Sequence, residues 1–145
     1  MASDDLLTEF PVRVAETVRF CDMDAYGHVN NAVYLRFFES ARMEYLERIG
    51  FLLNLDDPGI GPILAETRCR YRLPLRHPDT VDIGARVTHA DQRWMTMEYR
   101  VVSRTLGKVA ADGDGRVVVF DYANGVKANL PDPQRERLDA LEKTV

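Results

Sequence analysis

Between residues 32 and 49 apolar side chains recur about every fourth position, and between residues 63 and 122 they recur about every second. Val33, Phe37, Ala41, Tyr45 and Ile49 set the first period, and Tyr34, Phe38 and Leu46 widen the stripe. That is one face of an α-helix. Arg36, Glu39, Ser40, Arg42, Glu44, Glu47 and Arg48 fill the other face, and Gly50 supplies the stop expected just past a helix C-terminus. At about 1.5 Å per residue such a helix runs about 27 Å, long enough to cross a sheet.

The period of two predicts strands over 63–73, 80–89, 94–104 and 109–122, separated by Pro74 and Pro78, by Asp91-Gln92 and by Leu106-Gly107. An earlier strand over 11–20 is carried by Val12, Val14, Thr17 and Val18. Links this short imply mostly antiparallel neighbours. The run from Arg116 to Phe120 suits a strand buried on both faces. Asp112-Gly113-Asp114-Gly115 leaves two readings open, because its turn chemistry would also make a hairpin loop that cuts the last strand in two. Residues 1–10 read as a loose leader, Asp57-Pro58-Gly59 as a turn in the loop over 51–62, and 134–143 as a terminal helix with Leu138 and Leu141 facing inward.

A strand, one long helix and then four strands make an α+β domain. The expected architecture is a five-stranded antiparallel sheet wrapped around one long central helix, with a short C-terminal helix: the hot-dog arrangement. One helix covers one sheet face and leaves the edges unpaired, so homodimers, or tetramers built from them, are expected through those edges.

At 145 residues the chain is long enough for one domain, residues 1–145, with a core that needs no staples. It has no uncharged apolar run of membrane-spanning length. The net charge of −4 argues against a nucleic-acid partner. Cys21 and Cys69 lie far apart without a partner pattern and read as reduced thiols. The start, Met1-Ala2-Ser3-Asp4-Asp5, is acidic where an export signal is basic, so a cytoplasmic protein is expected. Arg68, Arg70, Arg72 and Arg76 form a local basic cluster on a predicted strand and its exit, suited either to a phosphorylated small molecule or to a solvated strand face.

Acidic, amide, imidazole and glycine residues crowd together over residues 20–34, directly before the long helix, with Asn30 or Asn31 suited to cap it. No Gly-x-Ser-x-Gly elbow, P-loop or dinucleotide fingerprint occurs. Asp22, Asp24 and His28 make at best a weak metal set, and no metal or organic cofactor is expected. Asp24 lies close to the helix start, where the dipole and the first N–H groups favour an ionised carboxylate able to act as a nucleophile or as a base for water. The same N–H groups can hold an oxyanion, and losing one such donor typically costs about 2.7–4 kcal/mol of transition-state stabilisation. The bland alternative makes Asp22, Asp24, Asn30 and Asn31 capping and turn residues and His28 a turn residue.

Asp22-Met23-Asp24-Ala25-Tyr26-Gly27-His28-Val29-Asn30-Asn31-Ala32-Val33-Tyr34, followed by Phe38-Glu39-Ser40-Ala41-Arg42, resembles the opening motif of the 4-hydroxybenzoyl-CoA thioesterase family of hot-dog proteins, above all its bacterial acyl-CoA branch. It is also similar to the plant acyl-carrier-protein thioesterases. The resemblance spans residues 12–138 and concentrates in 20–42. It implies that Asp24 is the catalytic carboxylate, that Gly27 is the turn glycine and that the Asn31 N–H is the oxyanion donor. It also pairs His28 with a motif histidine of less uniform role and puts Tyr34 in the acyl pocket. It runs the last strand straight through Ala111-x-Gly113. Where several relatives are rich in glycine and serine, Gln92-Arg93-Trp94 departs from the pattern. Arg68, Arg70 and Arg93, with Arg72 and Arg76, are candidates for the nucleotide phosphates, and Glu66 is a second carboxylate outside the catalytic set.

The resemblance implies an acyl-CoA thioesterase releasing free acid and coenzyme A. A hot-dog hydratase acting on 2-enoyl thioesters is the rival enzyme, with Asp24 and His28 as an acid/base pair, although the usual Asn-Pro between them is missing. A non-catalytic acyl-thioester binding module is the rival outside enzymes.

Overall fold

The computed structural model describes residues 2–52, 54–56 and 58–145. In chain order the elements are α1 (Ala2–Leu6), β1 (Val12–Val18), a 3₁₀ turn (Phe20–Asp22), α2 (Asn31–Arg48), β2 (Ile60–Tyr71), β3 (Asp79–Ala90), β4 (Trp94–Ser103), β5 (Lys108–Asp121), β6 (Val126–Lys127) and α3 (Asp132–Glu142). The strands lie in the order β1-β3-β4-β5-β2, all antiparallel, and the two-residue β6 adds a sixth strand on β5. The sheet curls around α2 in the hot-dog arrangement.

Helix α2 forms where the four-residue stripe predicts, and buries Tyr34, Phe37, Phe38, Ala41, Tyr45 and Leu46 against the inward residues of β3, β4 and β5, among them Ile83, Met97, Tyr99 and Val117. Each fully buried large side chain contributes roughly 1.5–3 kcal/mol relative to exposure. Asn30 caps the helix, its Oδ1 accepting the Ala32 N–H at 3.0 Å, and Gly50 follows the C-terminus with φ +69°. Arg42 departs from the pattern: expected on the solvent face, it is only 8% exposed and reaches the Tyr99 hydroxyl at 3.5 Å. Seven buried positions in eighteen make the stripe wide enough to include it.

The Asp112–Gly115 segment is continuous strand, not a hairpin, and the glycines are there for closeness. A Cβ on Gly113 would stand 2.1 Å from the Arg68 carbonyl oxygen and 2.7 Å from the Phe38 ring, and one on Gly115 would stand 2.7 Å from the Glu66 carbonyl oxygen. The bare backbone lets α2 and β2 approach β5. The 116–120 run is not buried on both faces: Val117 and Val119 are buried, Val118 and Phe120 half-buried, and Arg116 is exposed over the Trp94 ring. The described part of the expected loose leader, residues 2–10, is ordered as well. Helix α1 and its exit pack on the sheet's outer face, where Leu7 and Phe10 are buried with Val102, and Phe10 lies between the Arg86 and Arg100 guanidiniums. Asp57 of the expected 57–59 turn lies outside the described residues. At the other end, the Tyr45 hydroxyl and the Val87 N–H both donate to the Glu142 carboxylate, at 2.5 and 3.0 Å, tying α3 to the helix and the sheet.

Candidate active site

Between β1 and α2 the chain turns through a bend that its own backbone closes. The Asp24 N–H donates to the His28 carbonyl at 2.8 Å, and the Gly27 N–H donates to the Asp24 carbonyl at 3.0 Å. Gly27 adopts φ +77°, a left-handed conformation that costs an ordinary L-residue roughly 1–2 kcal/mol. Within this bend Asp24 Oδ1 accepts the Tyr26 N–H at 2.9 Å, and the Asp24 side chain is otherwise open to water.

Helix α2 begins immediately after. Of its first amides, the Ala32 N–H donates to the Asn30 side chain and the Val33 N–H to the Asn30 carbonyl at 2.9 Å. The Asn31 N–H has no partner among the described residues. It stands at the positive end of an eighteen-residue helix.

Asp24, Tyr26, His28, Val29, Asn31 and Tyr34 line one cleft of about 420 Å³, completed by residues 71–74 at the end of β2 and beyond. Tyr34 is buried; its hydroxyl donates to the Leu73 carbonyl at 3.3 Å, and burial pushes its phenol pKa up. Tyr71 stands edge-on to Tyr34 and donates its hydroxyl to the Asn31 carbonyl at 3.2 Å, so the exit of β2 braces the start of α2. His28 Nε2 lies 3.1 Å from an Arg76 guanidinium nitrogen.

The bend is anchored from behind by Asp22, which is buried. Its carboxylate takes two hydrogen bonds from the Arg36 guanidinium, at 2.9 and 3.1 Å, and one from the Arg19 N–H at 2.9 Å. The Arg36 fork holds the Asp22 carboxyl down at about 2, against an opposing push from burial. Asp22 and Asp24, two positions apart in the motif, thus have separate environments. Among the described residues no three of His, Cys, Asp and Glu are grouped so as to hold a metal ion.

The structure therefore brings Asp24, Gly27, His28, Asn31 and Tyr34 together. Arg68 and Arg70 line a different recess of about 470 Å³, shared with Glu98, Arg100, Asp112 and Asp114, and only Arg72 borders both. Arg68 is forked onto Asp114, with both contacts at 2.8 Å, whereas the Arg70 side chain has no ion pair or hydrogen bond among the described residues. Arg93 reaches Asn129 and borders neither recess. Glu66 is exposed, 3.9 Å from Arg68. Sequence reasoning did not single out Tyr71 as a brace, Arg76 as the partner of His28, or the Asp22–Arg36 pair. Only the tyrosine carried a signal, the Tyr71-x-x-Pro74 spacing.

A profile of the thioesterase-like superfamily matches residues 18–138, nearly the whole described fold and all of the cleft. The chain belongs to the thioesterase-like superfamily. Among solved members, a Thermus thermophilus thioesterase determined with coenzyme A and zinc is 36% identical and superposes with a TM-score of 0.80, covering 93% of this chain and 96% of that one. The long-chain acyl-CoA thioesterase FadM of Escherichia coli is 27% identical over 126 residues, 87% of this chain and 96% of its own length. The acyl-CoA thioesterase YbgC of Haemophilus influenzae is 29% identical over 127 residues, 82% of this chain and 90% of its own. Within the superfamily frame, the bend and the start of α2 are the place where a carboxylate and an open amide share one cleft.

Proposed function

We propose that the protein is an acyl-CoA thioesterase of the branch related to 4-hydroxybenzoyl-CoA thioesterase. The observation that carries this reading is the unpartnered Asn31 N–H in the same cleft as the water-exposed Asp24 carboxylate. The thioester carbonyl oxygen accepts the Asn31 N–H, which the helix dipole strengthens as negative charge develops. Two routes balance from there. Asp24 takes a proton from water, whose oxygen adds to the carbonyl carbon; or Asp24 itself adds, giving a mixed anhydride that water then opens. In both, the C–S bond breaks, the coenzyme A thiolate leaves with the sulfur electron pair and takes up a proton, and the acid is released. Neither route calls for a cofactor beyond water.

Gly27 permits the bend, Tyr34 and Tyr71 form the aromatic wall against which the acyl group packs, and the cations for the nucleotide phosphates are Arg72, which lines the cleft and is forked on Asp112, and Arg76, which contacts His28. Arg68, Arg70 and Arg93 take up that role only along a path outside the cleft. The engagement of His28 Nε2 with Arg76 gives no support to the hydratase pairing. The working unit is a homodimer joined through the free edge of β2, or a tetramer of such dimers, in the cytoplasm. Support for the pairing comes from β2 having only β5 as a neighbour while Ile60, Ile63 and Leu64 are each about 40% exposed.

Free-thiol release from a panel of acyl-CoAs tests the activity. Asp24→Asn is expected to lower kcat at least 100-fold with the fold intact. A panel without turnover, or full activity in Asp24→Asn, sinks the reading. Single turnover in ¹⁸O-water bears on the route: label in the Asp24 carboxylate with unlabelled acid shows an anhydride opened at the Asp24 carbonyl, whereas label in the acid fits direct addition of water or an anhydride opened at the acyl carbon.

A further inference from the structure

We propose that Asp22 and Arg36 are positioning residues: their buried pair sets the first turn of α2, and so the open Asn31 N–H, against the bend that carries Asp24. For its kinetic consequence this rests on the thioesterase reading above.

Asp22 grips the helix in two ways. Its carboxylate holds the Arg36 fork, one and a half turns into α2, and its backbone carbonyl accepts the N–H of the cap residue Asn30 at 2.9 Å. A two-pronged contact fixes direction as well as distance. Turning α2 about its axis moves Arg36 off the fork, and sliding α2 along its axis breaks the Asn30 contact. Either motion re-aims the Asn31 amide, the next residue along.

The grip extends back into the sheet. Arg36 Nε lies 3.9 Å from Glu16 on β1, and the Glu16 carboxylate in turn accepts the Ser40 hydroxyl one helical turn on. The Arg36 guanidinium also lies over the Phe37 ring, 5.4 Å from its centre. Strand, bend and helix are thus bound through one chain of groups. None of Glu16, Arg19, Asp22, Arg36 and Ser40 lines the cleft, so none is offered to substrate. An oxyanion donor works over a few tenths of an ångström, and a displacement of about 1 Å costs on the order of 100-fold in rate.

The test compares Asp22→Asn and Arg36→Gln with Arg104→Gln. The last breaks an equally well-formed fork, Arg104 on Asp82 at 2.8 and 2.9 Å, which touches nothing in the cleft. Asn at 22 turns an amide NH₂ toward one prong of the fork. The expected result is a kcat loss of at least fivefold in both cleft-side variants, with KM changed less than threefold, and kcat within twofold of wild type in Arg104→Gln. A smaller loss in either variant, a loss carried by KM, or an equal loss in the control overturns the proposal. Where Arg36→Gln does not fold, Arg36→Lys is read by the same threshold. Should the wild-type protein hydrolyse no acyl-CoA, the thioesterase reading fails and hydrogen exchange decides this one alone. Asn30 and Ala32 amides exchanging at least fivefold faster in Asp22→Asn support it, and unchanged exchange overturns it.

Discussion

Asp22 and Asp24 are two positions apart and alternate between opposite environments, one buried under an arginine fork and the other open to water. Burial alone would raise the Asp22 pKa; the Arg36 hydrogen bonds outweigh it and bring it from 3.8 to about 2. A carboxyl depressed on folding contributes stability that is fully present above its unfolded value and is lost as pH falls through its folded value. Asp22 should therefore supply about 2 kcal/mol that disappears between pH 4 and pH 2. Urea midpoints measured across that range should fall for the wild type and lose this part of their slope in Asp22→Asn. Asp24, Gly27 and Asn31 are readable in sequence because capping, φ > 0 and the dipole are local rules, whereas Tyr34 enters only through the resemblance of the motif. The contacts of Asp22 with Arg36, and of His28 with Arg76, span 14 and 48 positions, and no local rule reaches that far.

At the scale of elements, the change of apolar period was enough to read α2 and four of the strands, but not their order: β2, linked to β3 through Pro74 and Pro78, lies away from it and pairs with β5. The pattern misled where a residue type has two uses. Glycine beside aspartate signals a turn, yet in β5 the same glycines clear room for Phe38 and for the backbone of β2. Gly113→Ala should thus cost about 1–3 kcal/mol through overpacking, seen as a lower denaturation midpoint with the m-value unchanged. Gly59→Ala, with open space around the added carbon, should shift the midpoint by less than about 0.5 kcal/mol. An arginine in a polar stripe looks solvated, but Arg42 is roofed over because the helix face is wider than a four-residue repeat implies. The leader gave no periodic signal, since α1 is only five residues long and its anchors, Leu7 and Phe10, fall after it.

For the whole molecule, the free edge of β2 and the recess beside it, lined by Met43, Leu46, Leu52, Leu64 and Tyr122, form the apolar border on which the proposed dimer depends. Ile63→Lys, on that edge and half-exposed in the monomer, should shift sedimentation toward the monomer while leaving the far-ultraviolet spectrum unchanged; dimers persisting in that variant would move the interface elsewhere. The seat of Phe10 bears on how the chain comes to be assembled. A side chain made near the beginning is received by Gly84, Arg86, Arg100 and Val102, so during synthesis it waits for some ninety further residues before its socket exists. Its docking therefore waits for β3 and β4 to be made, and Phe10→Trp would serve as the clock for their pairing.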